Sequence, residues 1–506
     1  MIIGEGKRWI TGEVQQCIFC LKIKKIRQFF TLEKGGELMV TAEQIREITL
    51  EKLPHLEVEE VPPIVTAAEY ETRIERARAQ MKAEQLTHLL VYADREYFSN
   101  LEFFTGHDPR FEEALLIIGT VGVTLVVGNE GLAYAEACPL KLNKVLYQEF
   151  SLQGQPRNKG KQLDEILAAA GIGNTSRVGV VGLKYYIHDQ TEAKRRLDIP
   201  AYIVDLLREL VGTKQVVNAT SLMKQAETGL RAAGLSSTEL VLAEIASTEA
   251  SLGLENFLNN FRVGMTEMEA SKLLNIDGSP LPVHPNVNFG RENVLLGVAS
   301  PTYTKRAELG EVMNVSNNRR RALVARLGVI AAKPEELKPE MQGIVETFYK
   351  PYFAAMVNWY EAVGIGVTGG EVYDRTMALI GDEEFGVGLN PGHLIHTDEW
   401  VNTPFFKDSP YRLQSGMLIQ CDTIAMPGGD YVGVHVEDGI ALADAGLRAE
   451  IKTEYPQSWA RIMVRRQFMT ETLGVKLREE VLPLSNLQLT LHPYMLNPHV
   501  ILAVKR

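Results

Sequence analysis

The sequence has few cysteines, no long apolar run and no excess of positive charge, and each absence excludes a class of protein. Four cysteines in 506 residues are too few for a disulfide framework, which favours a reducing compartment, and we expect the cytoplasm. No apolar run approaches the ~20 residues of a membrane-spanning helix, so we expect no membrane association. With 53 Lys and Arg against 64 Asp and Glu, the net charge of −11 predicts no nucleic-acid partner.

The first 38 residues differ from the rest of the chain. They are basic around the short apolar run Cys17-Ile-Phe-Cys20-Leu, but the charged Lys22-Ile-Lys-Lys25 follows that run. A secretory signal has its positive charges before a longer apolar stretch, so export is disfavoured. The sequence therefore predicts a poorly ordered extension, with Met39 as an alternative start. Cys17 and Cys20 have no second Cys or His pair, so they predict neither a zinc site nor a redox motif.

The length predicts at least two domains, because a single core stops growing at ~250–300 residues. Residues 1–60 are expected to form the extension and an acidic, proline-broken linker. Over 61–215, a helix at 67–81 and strands at 114–118 and 121–127 predict an α/β domain. Residues 216–506 would form the second domain.

The second domain is expected to begin with a long helical stretch from Ser221 to Phe261. Two segments, starting at Gly264 and Gly366, share the pattern Gly-x-Thr-x-x-Glu. In such a capping box the Thr and Glu side chains satisfy amides at the start of a helix, so two helix starts are predicted. The repetition also suggests a duplicated α/β unit.

The densest polar segment is Asn390-Pro-Gly-His-Leu-Ile-His-Thr-Asp-Glu-Trp400, a predicted loop or short strand. It contains two histidines, His393 and His396, and the carboxylate Glu399. Histidine is suited to proton transfer near neutral pH and is a common metal ligand. We therefore expect these three residues to be catalytic.

Two apolar strands after this segment carry isolated charged residues. The first contains Asp422, and the second contains His435 and Glu437 on one face and Val436 and Asp438 on the other. Charged groups in apolar strands must be paired, ligated or hydrogen-bonded, because burying them alone is costly. His393, Asp422 and Glu437 are therefore predicted to form one buried cluster.

The order Gly392-His393, Gly416-Met417 with Asp422, and Val436-Glu437-Asp438 resembles the second half of the pita-bread fold of creatinase, prolidase, aminopeptidase P and methionine aminopeptidase. Tyr97-Phe-Ser-Asn-Leu-Glu-Phe-Phe-Thr-Gly106 is similar to the N-terminal domain of creatinase and prolidase. The resemblance covers residues 65–450. It implies an α/β (α+β) fold in which a creatinase-like N-terminal domain precedes a pita-bread domain, and it implies a homodimer.

The metallopeptidases of this family bind two divalent metals through Asp, Asp, His, Glu and Glu. By resemblance, His393 occupies the His position, Asp422 the first Glu position and Glu437 the last. The two Asp should follow Gly310-Glu311, but no Asp occurs between Asp277 and Asp374. Arg319, Arg320 and Arg321 instead add positive charge to that stretch. We therefore expect no paired-metal centre, and Mn, Co or Zn on His393, Asp422 and Glu437 is the alternative.

Creatinase keeps this fold and hydrolyses a C–N bond without metal, using a His base and carboxylates. The resemblance thus implies hydrolysis of a small amide, amidine or dipeptide-like substrate. His393 or His284 would carry protons, and Glu437 and Asp422 would orient water or bind the substrate nitrogen. A metal-dependent Xaa-Pro peptidase and an inactive ligand- or protein-binding module remain alternatives.

Further substrate-binding residues are expected around this centre. His284 and His435 belong to the second domain. Arg110 and His107, in the loop Gly106-His-Asp-Pro-Arg-Phe-Glu-Glu113, are candidate contacts for a substrate carboxylate. A structural ion pair of Arg110 with Glu112 or Glu113 is the alternative. The segment 456–469 has helical periodicity and is expected to pack on its own domain or on a second subunit.

Overall fold

The computed structural model describes residues 39–188, 190–428 and 433–506. The predicted extension, with Cys17 and Cys20, therefore lies outside the described residues. All elements below belong to the unit Thr41–Arg506. Among the described residues, each helix is either too short or too polar to span a bilayer.

The first part of the chain alternates strands and helices as the sequence predicts. Its elements are β1 (Ile45–Thr49), α1 (Ala67–Ala83), β2 (His88–Ala93), α2 (Ser99–Thr105), β3 (Ala114–Gly119), β4 (Val123–Val127), α3 (Gly131–Tyr134), β5 (Asn143–Leu146), α4 (Leu163–Ala169), β6 (Val178–Val181), α5 (Gln190–Ala193), α6 (Ala201–Val211) and β7 (Val216–Asn218).

The second part is built around longer antiparallel strands. Its elements are α7 (Ser221–Lys224), α8 (Ser237–Asn260), α9 (Glu267–Ser271), β8 (Val287–Phe289), α10 (Gly290–Val294), β9 (Val312–Arg319), β10 (Ala322–Val329), α11 (Lys350–Ala362), α12 (Gly369–Ile380), β11 (His393–Leu394), β12 (Met417–Ala425), β13 (Val434–Leu442), α13 (Ala445–Glu454), α14 (Pro456–Gln467), β14 (Val481–Pro483) and β15 (Val500–Val504).

The N-terminal domain has a six-stranded mixed sheet in the order β5-β4-β3-β2-β6-β7. β2, β3 and β4 are almost entirely buried, which explains why their sequences are continuous runs of mostly apolar residues. β7, which begins one residue after the predicted boundary at 215, pairs with β6 at the edge of this sheet. β1, within the segment 1–60 assigned to extension and linker, pairs with β15 near the other end of the chain.

The C-terminal domain has a seven-stranded sheet in which β11-β12-β13-β10-β9-β8 are consecutive neighbours and β14 also pairs with β13. The predicted helical stretch from Ser221 to Phe261 is wrong as a single element. α7 ends at Lys224, Gly234 adopts a positive φ of 66°, and Ser236 caps α8. Glycine permits this left-handed turn without a Cβ clash, so the chain changes direction between the two helices.

The two predicted capping boxes are confirmed at α9 and α12. Thr266 and Thr368 each accept a hydrogen bond from the amide three residues on, and Glu269 and Glu371 accept one from the Thr amide in return. The predicted helix in segment 456–469 is also confirmed, as α14. Its Arg461 and Arg465 pair with the buried Glu244 of α8, so this helix packs on its own domain.

Candidate functional site

A tight turn fixes the position of His393. Gly392 has a φ of +111°, and a Cβ there would lie 2.6 Å from the carbonyl oxygen of Gln420. Only glycine fits this conformation and this close approach. The next residue, His393, pairs with Gln420 of β12 and is fully buried.

The register of β12 and β13 brings three more polar side chains to the same face of the sheet. Asp422 lies directly opposite Glu437, and His435 is two residues from Glu437 along β13. Because side chains alternate along a strand, Asp438 points to the other face, where it pairs with Arg326 at 2.9 Å. The predicted alternation of β13 is confirmed.

Five residues meet at this face, and we call them the His–carboxylate cluster: His393, Glu399, Asp422, His435 and Glu437. His393 Nε2 lies 3.0 Å from Glu399 Oε1, 3.6 Å from Glu437 Oε1 and 3.7 Å from Asp422 Oδ2. His435 Nε2 donates a hydrogen bond of 2.7 Å to Asp422 Oδ1 and lies 3.7 Å from Glu437 Oε2. In both Asp422 and Glu437, one carboxylate oxygen therefore faces His393 and the other faces His435.

Burial and mutual charge set the protonation states of the cluster. Burial, together with the negative charge of Asp422, raises the pKa of Glu437 to about 8. Burial disfavours charge on both histidines, but the neighbouring carboxylates outweigh it and raise the pKa of His393 and of His435. Despite burial, the hydrogen bond from His435 holds the pKa of Asp422 below its usual value. Near neutral pH, the cluster thus contains an ionised Asp422 and a protonated Glu437.

Glu399 and Trp400 connect the cluster to solvent. The Glu399 side chain is 23% exposed, whereas His393 is 0% exposed. The Trp400 ring stacks on the His393 imidazole with centroids 4.2 Å apart and planes 18° from parallel, and Trp400 as a whole is 39% exposed. We call the solvent-exposed parts of Glu399 and Trp400 the mouth of the site.

The structure places His396, predicted to be catalytic, outside the cluster. Its Nε2 lies 3.3 Å from Glu239 Oε2, and Phe103 packs edge-on against its ring. Burial lowers its pKa to about 4, so this imidazole is neutral near pH 7. The segment 393–400 therefore directs His393 and Glu399 to one side and His396 to another.

The remaining predicted substrate-binding residues, apart from His435, make contacts elsewhere. His284 is exposed, and its Nε2 lies 3.0 Å from the carbonyl oxygen of Val298. His107 is buried beside the Tyr134 ring, and burial lowers its pKa to about 4. In the part of the chain that the structure describes, neither residue has a recorded polar contact with the cluster.

Arg110 is also occupied by other partners. Its Nε donates to Asp108 at 3.2 Å, and a terminal nitrogen donates to the carbonyl oxygen of Leu281 at 3.0 Å. The alternative of a pair with Glu112 or Glu113 is wrong. Glu112 accepts hydrogen bonds from the backbone amides of Glu130 and Gly131 at the start of α3, and Glu113 accepts one from the Tyr92 hydroxyl of β2.

Two residues of the site were missed by sequence reasoning. Gln420 donates to Glu437 Oε1 at 3.3 Å and to the carbonyl oxygen of Leu323 at 2.7 Å. It precedes Asp422 by two residues, so strand alternation could have identified it. No sequence pattern could have identified Trp400, because the stacking of its ring on His393 depends on the path of the turn between the two residues.

The metal pair implied by the resemblance does not fit the neighbouring strands. Ala325 lies directly opposite Glu437, and Ser316 lies opposite Ala325, so these two residues share the row of Asp422 and Glu437. Neither side chain is a carboxylate. The donor atoms of two overlapping groups do lie within 4.8 Å of one another, namely His393, Glu399 and Glu437, and Asp422, His435 and Glu437. These groups have the chemistry to hold a divalent cation, but with a different ligand set.

Comparisons with known proteins give the fold. No family model and no curated protein matches this sequence. Among solved structures, an Xaa-Pro dipeptidase from Bacillus anthracis matches with a TM-score of 0.56 and 17% identity, covering 74% of this chain and 96% of that chain. A prolidase from Pyrococcus horikoshii (TM-score 0.56, 16% identity, 74% and 95% covered) and an X-Pro aminopeptidase from Thermotoga maritima (0.55, 14%, 73% and 95%) are similar. The chain therefore has the two-domain α/β pita-bread fold of these peptidases.

Proposed function

We propose that this protein hydrolyses a C–N bond in a small amide, amidine or dipeptide-like substrate, without the paired-metal centre implied by the resemblance. The observation that carries the proposal is the His–carboxylate cluster, which is buried but reaches solvent through Glu399 and Asp422. Clusters of titratable groups with strongly shifted pKa values are typical of catalytic sites. The shared fold with peptidases is consistent with hydrolysis but does not identify the substrate.

Each residue of the cluster has a role that its contacts support. His393 carries protons between the attacking water and the leaving nitrogen, and Glu399 orients its imidazole. The Nδ1–H of His393 donates to the carbonyl oxygen of Leu394 at 3.2 Å, so Nε2 is the nitrogen that faces the reaction. Asp422, fixed by His435, orients the water. Glu437 holds a proton near neutral pH and uses it to donate a hydrogen bond to the substrate.

The experiment is an assay of released amine or ammonia on a panel of amides, guanidino compounds and Xaa-Pro dipeptides. We expect turnover of one of these classes, and a loss of about 100-fold or more in His393→Asn, because general acid–base catalysis contributes roughly 10²–10⁴-fold. His188→Asn changes an exposed histidine and is the matched control. Equal turnover by both variants would refute the assignment.

A metal-dependent Xaa-Pro peptidase is the second candidate, and the two donor groups that share Glu437 favour it. In that case His393, Glu399, Asp422, His435 and Glu437 would hold the cation, which would polarise the scissile carbonyl and activate water. Stimulation of dipeptide hydrolysis by added Mn, Co or Zn would support this candidate over the first. An inactive ligand- or protein-binding module would show no turnover with any substrate or metal.

The assembly and location are also proposals. We propose a cytoplasmic homodimer, because the resemblance implies a dimer and the low cysteine content favours a reducing compartment. Light scattering on the purified full chain tests the dimer, and a mass of one chain, 56.4 kDa, would contradict it.

A further inference from the structure

We propose that three asparagines on the same sheet face as the His–carboxylate cluster bind an uncharged group of the substrate that carries N–H donors, namely a carboxamide or a ureido group. We call Asn286, Asn288 and Asn318 the amide patch. This inference rests on the proposed function and names one part of the substrate, a neutral amide that a short aliphatic segment joins to the scissile C–N bond. It depends on the strand register, on unpartnered amide atoms and on the uncharged strands between the patch and the cluster.

The strand register places Asn318 on the same face of the sheet as the cluster. Glu437, Ala325 and Ser316 are direct neighbours on β13, β10 and β9, so their side chains share one face. Asn318 follows Ser316 by two residues and points to this face as well. Asn317 points to the other face, where it donates to a carbonyl oxygen of α8. Because neighbouring strands lie about 4.8 Å apart, Ser316 is roughly 10 Å from Glu437.

Asn286 and Asn288 extend the patch to the edge of the sheet. Asn288, in β8, lies directly opposite Asn314 of β9, which shares the face of Ser316. Asn286 precedes Asn288 by two residues, and its backbone amide donates to the Ser316 hydroxyl at 3.1 Å. The three asparagines of the patch therefore lie on one face of two adjacent chain segments.

The patch contains buried amide atoms without a partner. Asn288 and Asn318 are 0% and 1% exposed. Among the described residues, neither amide atom of Asn318 has a hydrogen-bond partner, and the Oδ1 atoms of Asn286 and Asn288 have none. Burying such atoms unpaired costs free energy, so a ligand that pairs with them gains affinity. Three of these four atoms are acceptor oxygens, so the matching ligand group is one that carries N–H donors.

Gln420 provides a further acceptor on the cluster side of this face. Its Nε2 donates to the carbonyl oxygen of Leu323 at 2.7 Å and to Glu437 Oε1 at 3.3 Å, whereas its buried Oε1 has no partner among the described residues. Gly439 lies opposite Gln420, and a Cβ there would lie 2.7 Å from this Oε1. The Gln420 oxygen therefore lies over β13, in space that a glycine leaves open.

The strands between the cluster and the patch favour a neutral ligand. In β9 and β10, which the structure describes throughout, every side chain directed to this face is uncharged: Val312, Asn314, Ser316, Asn318, Leu323, Ala325, Leu327 and Val329. A charged group would lose its hydration here without gaining an ion pair. A neutral amide keeps its hydrogen bonds, and the aliphatic segment beside it packs on the apolar side chains of β10.

Binding of glutaramide and 2,6-heptanedione to the full chain tests the proposal. The two probes have the same shape and are both neutral, so the charge of the cluster affects them equally, but glutaramide alone has N–H donors. Ligand-observed NMR measures both affinities and also shows whether glutaramide is hydrolysed. We expect glutaramide to bind about threefold to tenfold more tightly, because this is the net effect of a typical hydrogen bond.

Asn318→Leu locates the binding site, because leucine has a similar shape and no amide. It should weaken glutaramide binding by about threefold to tenfold and leave 2,6-heptanedione binding unchanged. It should not lower the melting temperature, because the replaced amide atoms have no partner in the free chain. Binding of 1,5-diaminopentane, the charged analogue of glutaramide, should be the same in both proteins. Asn259→Leu, at an exposed asparagine of α8, is the control.

Four results would overturn the proposal. The first is equal binding of glutaramide and 2,6-heptanedione, or binding of neither, and it requires only the unchanged protein. The second is glutaramide binding that Asn318→Leu leaves unchanged. The third is a lower melting temperature of Asn318→Leu, which would make Asn318 a structural residue. The fourth is weaker binding of 1,5-diaminopentane to Asn318→Leu, which would show that the patch takes charged groups. Failure to find a hydrolysed substrate would refute the proposed function without affecting these measurements.

Discussion

At the residue scale, the neighbours of the buried carboxylates determine which of them is ionised and which is protonated. Asp422 and Glu437 lie opposite each other on adjacent strands, and both contact the two histidines. Two adjacent buried carboxylates do not both ionise readily, so Asp422 stays ionised and Glu437 retains a proton. The same cluster thus provides both a proton donor and an orienting anion.

Replacing Glu437 should change how stability depends on pH. Its pKa is about 8 in the folded chain and near 4.5 in the unfolded chain, so the folded state binds the extra proton between these values. Its stabilising contribution is complete below about pH 4.5 and is lost as the pH rises through about 8. Relative to Glu437→Gln, the unchanged protein should lose on the order of 2–4 kcal/mol of unfolding free energy between pH 5 and 8.5.

Urea denaturation of both proteins at several pH values measures this difference. Glu383→Gln, at an exposed carboxylate, is the control and should follow the unchanged protein. Parallel stability curves for Glu437→Gln and the unchanged protein would contradict the assigned protonation of Glu437.

At the element scale, strand register explains what sequence reasoning could find. Alternation along β13 correctly placed Glu437 and His435 on one face and Asp438 on the other, because successive side chains of a strand point to opposite faces. The segment 393–400 was harder. Pairing with β12 continues only to Ile395, and the following turn separates His396 from His393. No periodic pattern of residues predicts the path of such a turn. The sequence therefore could not show that Glu399 lies in the cluster and that His396 lies outside it.

The turn before β11 provides the prediction at this scale. Gly392→Ala should lower the free energy of unfolding by about 2 kcal/mol or more, because alanine is strained at positive φ and its Cβ would contact Gln420. It should also reduce activity by displacing His393. Gly388→Ala is a matched control, because a Cβ there meets nothing within 4 Å. Equal stability of the two variants, measured by urea denaturation, would contradict the role of this turn.

At the scale of the whole molecule, a buried ionic network joins the two domains. Glu239 of α8 contacts Arg73 of α1 at 2.7 Å, Arg321 at 2.7 Å and His396 at 3.3 Å. Burial alone would raise the pKa of Glu239, but the positive charge of Arg321 leads the effects that hold it well below its usual value. The sequence could not reveal this network, because its members are separated by up to about 320 residues and form no local pattern.

Breaking this network should destabilise the whole chain. Glu239→Ala leaves two arginines without their buried partner, so we expect a loss of about 3–5 kcal/mol in the free energy of unfolding. Glu75→Gln breaks an exposed pair with Arg78 on α1 and should cost less than about 1 kcal/mol. Chemical denaturation compares the two variants, and equal small losses would show that Glu239 does not couple the domains.

The central claim is that the His–carboxylate cluster hydrolyses a C–N bond without a pair of metal ions. The most direct measurement is the number of Mn, Co and Zn ions per chain in protein purified from supplemented medium, determined together with turnover before and after chelation. We predict fewer than two ions per chain and turnover that survives chelation. About two ions per chain, with activity lost on chelation and restored by metal, would contradict the claim.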